Sequence, residues 1–303
     1  MKKIQTVLGS ISPGELGVVY PHAHVIIMRK RSEDPDFGIP SVEKAVEELQ
    51  AFEEAGGKSI VDGTTVGPGR DIKALIDVAK KTSVNIIATT GFGTQDLPFE
   101  KWVFDYSVDR LTDFMTREIT VGIDGTEAKA GALKASASYN CIKPVEEKVI
   151  RAVSRVQMKT DAPVFLHTTI GTMALEQLEI LEKEGVNLSR VMVGHLDRNP
   201  DFNYHKEIAE RGAYILYDQI SKIKYYPVSF VVELILKLFE EGYGKQILLS
   251  SDFARKSDLK AYGGGPGYAY LLRDFIPRLK AEGLDEEAIK DLFINNPRRV
   301  LDI

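Results

Sequence analysis

The sequence predicts an α/β protein folded as one (β/α)8 barrel, a TIM barrel, across residues 1–303. Three observations predict it. Eight short apolar runs recur along the chain, each followed by apolar residues at helical spacing. The runs are near-continuous in Val, Ile, Leu and Ala, as strands buried on both faces of a parallel sheet are. Several of them end in a histidine or a carboxylate, and the C-terminal ends of barrel strands are where such folds carry functional side chains. The length suits one barrel of about 250 residues with its loops.

Residues 6–16 read as a short arm with a turn at Ser12-Pro13-Gly14. The first strand, Val18-Val19-Tyr20, runs through Pro21 into His22-Ala23-His24. Residues 26–40 are charged and read as a surface loop. Ser41 caps a helix with apolar residues at Val42, Ala45, Val46, Leu49 and Phe52, and Gly56-Gly57 stops it. The second strand is 59–62. The Gly-rich loop 63–69 after it lacks the lysine and the glycine order of a phosphate-binding loop. Arg70 or Asp71 opens a helix to residue 79. The third strand, 84–89, leads into a long loop, 91–102, of the kind that covers substrate. Phe92 and Trp102 within it read as loop packing.

A helix over 108–120 precedes the fourth strand, 131–135, which contains Lys134. The helix over 144–160 carries Glu146 and Glu147 in its first turn, where the helix dipole favours them. The fifth strand ends at His167, the sixth at His195, the seventh at Asp218 and the eighth at Asp252. Helices over 172–184, 201–211 and 228–241 lie between them, stopped by Gly185, Gly212 and Gly242. Helices over 267–281 and 285–295 close the chain. His205 falls in the polar opening of the 201–211 helix and reads as a surface histidine.

An apolar content of 44% is that of a globular chain with a large core. The net charge of −5 argues against nucleic-acid binding, which needs a basic face. A single cysteine, Cys141, forms no intrachain disulfide, suits the reducing cytoplasm, and reads as a partly buried thiol. The N-terminus lacks the apolar run of a signal peptide, and no stretch is long enough to span a membrane. A homodimer, the commonest closed assembly, is the expectation for quaternary structure.

Four of the five histidines stand at strand ends. In an extended backbone His22 and His24 point to one side, so both imidazoles can meet one cation. Lys134 sits inside an apolar strand, where an unpaired ammonium costs several kcal/mol, so it should be paired, neutral or modified. A neutral amine can add carbon dioxide to give a carbamate, whose two oxygens can bridge two cations. Two divalent metals can share a hydroxide and present it to an electrophilic carbonyl or phosphorus. Asp252 can both ligate and carry protons.

These residues resemble the phosphotriesterase-related family of the amidohydrolase superfamily. The resemblance rests on His22-Ala23-His24, on Lys134 in Gly131-Ala132-Leu133-Lys134, on His167 after Val164-Phe165-Leu166, on Gly194-His195 and on Ser251-Asp252. It implies that His22, His24 and Asp252 hold one metal, that His167 and His195 hold the other, and that carboxylated Lys134 bridges them. Zinc is the expected metal; manganese, cobalt, nickel and iron also suit such donors. The family usually has Glu where this chain has Ala23, a position facing away from the metals. The runs 217–227, 251–256 and 262–267 are similar to the branch that opens phosphorylated sugar lactones. That likeness implies phosphate contacts from Lys224 and Arg255, with Lys256, Tyr225 and Tyr262 as lesser candidates; Lys222 reads equally well as a solvated lysine. Loops after the seventh and eighth strands are a frequent phosphate site, and Arg and Lys suit phosphate oxygens.

Three functions are therefore weighed: a metal-dependent lactonase acting on a phosphorylated sugar lactone, an organophosphate triesterase or acyl-homoserine lactonase with the same centre, and a non-enzymatic sugar-phosphate-binding barrel. The second needs an apolar leaving-group pocket, which the cationic residues at the mouth oppose.

Overall fold

The computed structural model of the chain describes residues 2–28, 34–95 and 101–302. A hairpin, β1 (Ile4–Thr6) and β2 (Gly9–Ile11), takes the place of the arm expected there. The barrel strands follow as β3 (Val18–Ala23), β4 (Gly57–Asp62), β5 (Asn85–Gly91), β6 (Ala130–Ala137), β7 (Val164–Thr168), β8 (Val191–Val193), β9 (Tyr214–Tyr217) and β10 (Ile247–Leu249). They form one parallel eight-stranded sheet in sequence order. Between them run α1 (Val42–Glu54), α2 (Ile72–Lys81), α3 (Lys101–Asp105), α4 (Val108–Thr120), α5 (Pro144–Thr160), α6 (Ala174–Lys183), α7 (Phe202–Glu210) and α8 (Val228–Glu240). Among the described residues no helix is long and apolar enough to cross a membrane.

The helices start where their caps say. Ser41, Asp71, Ser107, Asp201 and Asp285 each accept a backbone N–H of the first turn. The chain end departs from expectation. Leu271–Phe275 and Asp291–Asn295 wind as π-helix into α9 (Ile276–Ala281) and, after α10 (Glu286–Lys290), into α11 (Asn296–Leu301). Pro297 lies where the π-turn Asp291–Asn295 passes into α11, and it has no N–H to donate to the turn before it. Arg190 pins this end, donating to the Arg299 carbonyl at 3.2 Å and to Asp302 and Asp161 carboxylates at 3.2 and 2.9 Å.

Each barrel strand sends one side chain into a shared inner layer: Val19, Val61, Ile87, Ala132, Phe165, Met192, Leu216 and Leu248. Period-two alternation then lifts Lys134 and His167 just above that layer, because each stands two residues beyond a layer member. The β3 strand needs an irregularity to do the same. Tyr20 and Ala23 both pack in the outer core, three residues apart, and the register with β4 shifts between them. The extra residue at Pro21 re-aims the strand so that His22 and His24 face inward.

The seam between β10 and β3 closes the barrel through a side chain. Ser250 Oγ accepts the His22 N–H at 3.1 Å and donates back to the His22 carbonyl, which also accepts the Asp252 N–H at 3.3 Å. Barrel closure thus brings the first and last candidate ligands side by side.

Candidate active site

Phe165 is the floor of the site. Its ring stacks under His22, with centroids 4.1 Å apart, and Lys134 Nζ lies 5.0 Å above it. His22, His24 and Asp252 each offer one ligand atom within 4.8 Å of the others. Asp252 Oδ1 stands 3.6 Å from His22 Nε2 and 3.3 Å from His24 Nε2. Across the mouth, His167 Nδ1 faces His195 Nε2 at 2.8 Å. Two imidazole nitrogens this close need a proton or a cation between them.

The buried Asp218 orients a histidine from each group. Its Oδ2 lies 2.8 Å from His22 Nδ1 and its Oδ1 2.7 Å from His195 Nδ1. A carboxylate only accepts, so both Nδ1 atoms carry hydrogen, and each Nε2 is left to face the centre. His22, His195 and Asp218 also cluster closely enough to hold a metal, but those hydrogen bonds occupy the facing atoms. Burial works to raise the Asp218 carboxyl, yet the charge and hydrogen bonds of His195 and His22 hold it well below the usual carboxylate range. Burial pushes His22 down to about 4 and His167 well down, so both rings are neutral near pH 7. Burial opposes charge on His195 too, but Asp218 and Asp252 outweigh it and raise that ring. His24 Nδ1 shares a 2.8 Å hydrogen bond with Thr64 Oγ1, and its carbonyl accepts the Tyr268 hydroxyl at 2.6 Å.

Lys134 is buried, and its ammonium donates to the Gly63 carbonyl at 3.0 Å. Burial lowers its pKa against the pull of Asp252, Asp218 and Asp62. The space beside it exists because residue 63 is glycine: a Cβ there would sit 2.6 Å from His22 Nε2 and 3.5 Å from Lys134 Nζ. Asp252 and His195 hold left-handed backbones, with φ of 44° and 62°. Such strain is uncommon outside glycine and persists where the surroundings fix it. At Asp252, Lys222 Nζ donates to the carbonyl at 2.6 Å, and Gln219 Nε2 donates to Oδ2 at 2.6 Å. Burial would raise the Asp252 carboxyl, but Lys222, His22 and His195 keep it well below the usual range, ionised.

The donor set fits a pair of divalent cations. His22 Nε2 is buried and has no hydrogen-bond partner, a costly state for an imidazole nitrogen that nothing completes. The candidate ligands are imidazole nitrogens and carboxylate oxygen, donors that zinc and its neighbours accept.

Two adjoining cavities open here. One of about 140 Å³ is lined by His22, His24, Lys134, His167, His195 and Asp252, with Thr65 and Pro68 from the loop after β4. The second, of about 220 Å³, shares His167, His195 and Asp252 and extends to Arg198, Lys222, Lys224, Tyr225, Arg255 and Asp258. The six expected metal ligands thus meet at one place, and Lys224, Tyr225 and Arg255 line the space next to them.

Five expectations need correction. Tyr262 does not face the cavity: the turn Lys260–Tyr262 folds back on α1, where the Tyr262 hydroxyl accepts the Ser41 N–H at 3.2 Å and Lys44 lies over its ring. Lys256 donates to the Pro35 carbonyl at 2.9 Å and also lies outside the cavity lining. His205 is buried, its Nδ1 2.8 Å from the Tyr217 hydroxyl, and burial lowers it to about 4. Cys141 is exposed, beside a bridge to Ser138 at the barrel top. Lys222 is no solvated lysine but the partner of Asp252 just described. Phe92 and Trp102 pack on each other and on Phe114, as loop packing implies. Residues 96–100 of their loop, and 29–33 of the 26–40 loop, lie outside the described residues.

Asp218, expected only as the end of the seventh strand, and Arg198, given no role, both had legible signals. Asp218 ends an apolar run just as Asp252 does, and Arg198 follows His195 by the same three residues that separate Arg255 from Asp252.

The model of the phosphotriesterase family matches residues 2–301. The chain belongs to the phosphotriesterase family. It is therefore a hydrolase of a family built on binuclear metal centres. A phospho-furanose lactonase of Mycoplasmopsis agalactiae is 34% identical over 322 residues, covering 99% of this chain and 91% of that protein. The crystal structure of a lactonase from Listeria monocytogenes matches with a TM-score of 0.95 at 38% identity, over 99% of this chain and 98% of that one. The phosphotriesterase homology protein of Escherichia coli, solved with phosphate in its active site, matches with a TM-score of 0.91 at 33% identity, over 95% of this chain and 99% of that one.

Proposed function

We propose that this phosphotriesterase-family chain hydrolyses a lactone of a phosphorylated sugar. The observation that supports this best is the continuity of the 220 Å³ cavity, which runs from Asp252, His167 and His195 to Lys224, Tyr225 and Arg255. A ligand can present a carbonyl at one end and an anion at the other. The volume is small for such sites and suits a single sugar ring. Arg198, Lys222, Lys224 and Arg255 in its lining favour an anionic substrate over the neutral esters of an organophosphate or an acyl-homoserine lactone.

His22, His24 and Asp252 would hold one divalent cation and His167 and His195 the other, with zinc the expected ion. Lys134, as a neutral amine, would add carbon dioxide and release a proton, giving a carbamate whose two oxygens serve both cations. When bound, the metals lower the pKa of water at the site and polarise the lactone carbonyl. The chain's own residues then place and move charge. Asp252, fixed by Gln219 and Lys222, accepts the proton of the attacking water and delivers it to the alkoxide released on ring opening. Asp218 keeps the ligand rings of His22 and His195 in the tautomer that faces the centre. Lys224 binds the anionic tail as a point charge, while Arg255 reaches the cavity with its guanidinium already paired to Asp34 and Asp36.

The test is Lys224→Ala, assayed on a phosphorylated lactone and on its unphosphorylated counterpart. KM for the phosphorylated substrate should rise at least about tenfold more than KM for the neutral one, the worth of one charge-assisted hydrogen bond. Equal effects on both would remove phosphate from the proposal.

A further inference from the structure

One cation at the cavity is supplied neither by the family resemblance nor by the loop after β10. Arg198 lies in the turn Leu196–Arg198 directly after His195. Its N–H donates to the His195 carbonyl at 3.1 Å, and Asn199 anchors the turn by donating to the Gly171 carbonyl at 3.1 Å. Its guanidinium carbon lies 3.9 Å from the centroid of the Tyr225 ring, and Lys224 Nζ lies 5.0 Å from the same centroid. All three line the 220 Å³ cavity. Among the described residues Arg198 has no carboxylate within ion-pair distance, whereas Arg255 has Asp34 and Asp36. A stacked guanidinium keeps its plane fixed and its in-plane N–H groups free for a bidentate acceptor.

We infer that Arg198, stacked on Tyr225, is the residue by which the site selects an anionic, phosphate-like group on its substrate. The inference rests on the lactonase reading and refines it. Tyr225 is the platform for the cation rather than a phosphate ligand through its hydroxyl. Because Arg198 is tied to the His195 carbonyl, the span from the reacting centre to the anion is set by one short turn. The site therefore measures the distance between the scissile carbonyl and the anion as well as its charge.

The test uses the metal-loaded protein and two readouts. One is the ratio of kcat/KM for a phosphorylated lactone to that for its neutral counterpart. The other is binding of ribose 5-phosphate, with ribose as control, by titration calorimetry. Arg198→Gln should lower the ratio and weaken ribose 5-phosphate binding at least about tenfold, with ribose binding moving much less. Arg198→Lys should recover only part of the loss, because an ammonium has no plane to stack. Tyr225→Phe, which keeps the ring under Arg198, should lose less than Tyr225→Leu, which removes it. If Arg198→Gln fails to fold, Arg198→Lys and the Tyr225 pair carry the same comparison. Unchanged ratio and binding in the Arg198 variants, alongside a loss in Lys224→Ala, would overturn this inference and leave the proposed function standing. No change in either set would overturn both.

Discussion

Lys134→Met is expected to strip the protein of metal as well as rate. The lysine lies on β6 above Phe165, buried, with one hydrogen bond to the Gly63 carbonyl. Methionine fills nearly the same volume and removes a buried amine, so the barrel should melt at or above the parent temperature in metal-free buffer. What disappears is the group proposed to serve both cations. Removing a hydrogen-bond partner of a metal ligand costs up to about 100-fold in affinity or activity, and loss of a shared ligand should exceed that. Added metal should not restore the rate. In the parent protein, reconstitution after chelation should speed up with bicarbonate, as carbamate formation requires, and in the variant bicarbonate should do nothing. Retained metal and rate in Lys134→Met would dispose of the bridging role.

The second large effect belongs to a residue that touches neither metal nor substrate in this account. Asp218 accepts from the rings of His22 and His195, one from each proposed metal position. Asn has the same shape but one acceptor oxygen, and its amide would confront the other ring donor to donor. Asp218→Asn should weaken metal binding about 10–100-fold, read by chelator competition, with activity falling in step at limiting metal. Unlike Lys134→Met, it should recover substantially at high metal concentration. Asp218→Ala leaves two buried rings without their carboxylate and should cost about 3–5 kcal/mol of stability in urea melts. Variants with parental metal affinity would show that the two histidines orient themselves.

Much of this was legible in the sequence, and the reasons are physical. Parallel strands buried on both faces must be apolar along their length, so β5, β7 and β9 announce themselves. Polar residues at the ends of such runs, as in Leu166-His167 and Ser251-Asp252, have few roles outside a site. Period-two alternation is local, so Lys134 could be placed above the inner layer without coordinates. The loops follow a different rule. Tyr262 and Arg255 are set by contacts more than 200 residues away in sequence, with Ser41 and Asp34, and no local pattern encodes those. His205 was misread for another reason. It lies at i+3 from Phe202 and three before Ile208, on the apolar stripe of α7, but its polarity hid that placement until the Tyr217 hydroxyl supplied a partner. The bulge at Pro21 is likewise visible only once Tyr20 and Ala23 are seen on one side of the sheet.

The most direct test is diffraction from crystals of the zinc-loaded protein, with anomalous data collected at the zinc edge. Two peaks are predicted, about 3.5–4 Å apart, one among His22, His24 and Asp252, the other between His167 and His195, with density for a carboxyl group on Lys134 reaching both. A single ion, ions bound elsewhere, or a bare Lys134 amine beside two occupied positions would contradict the account.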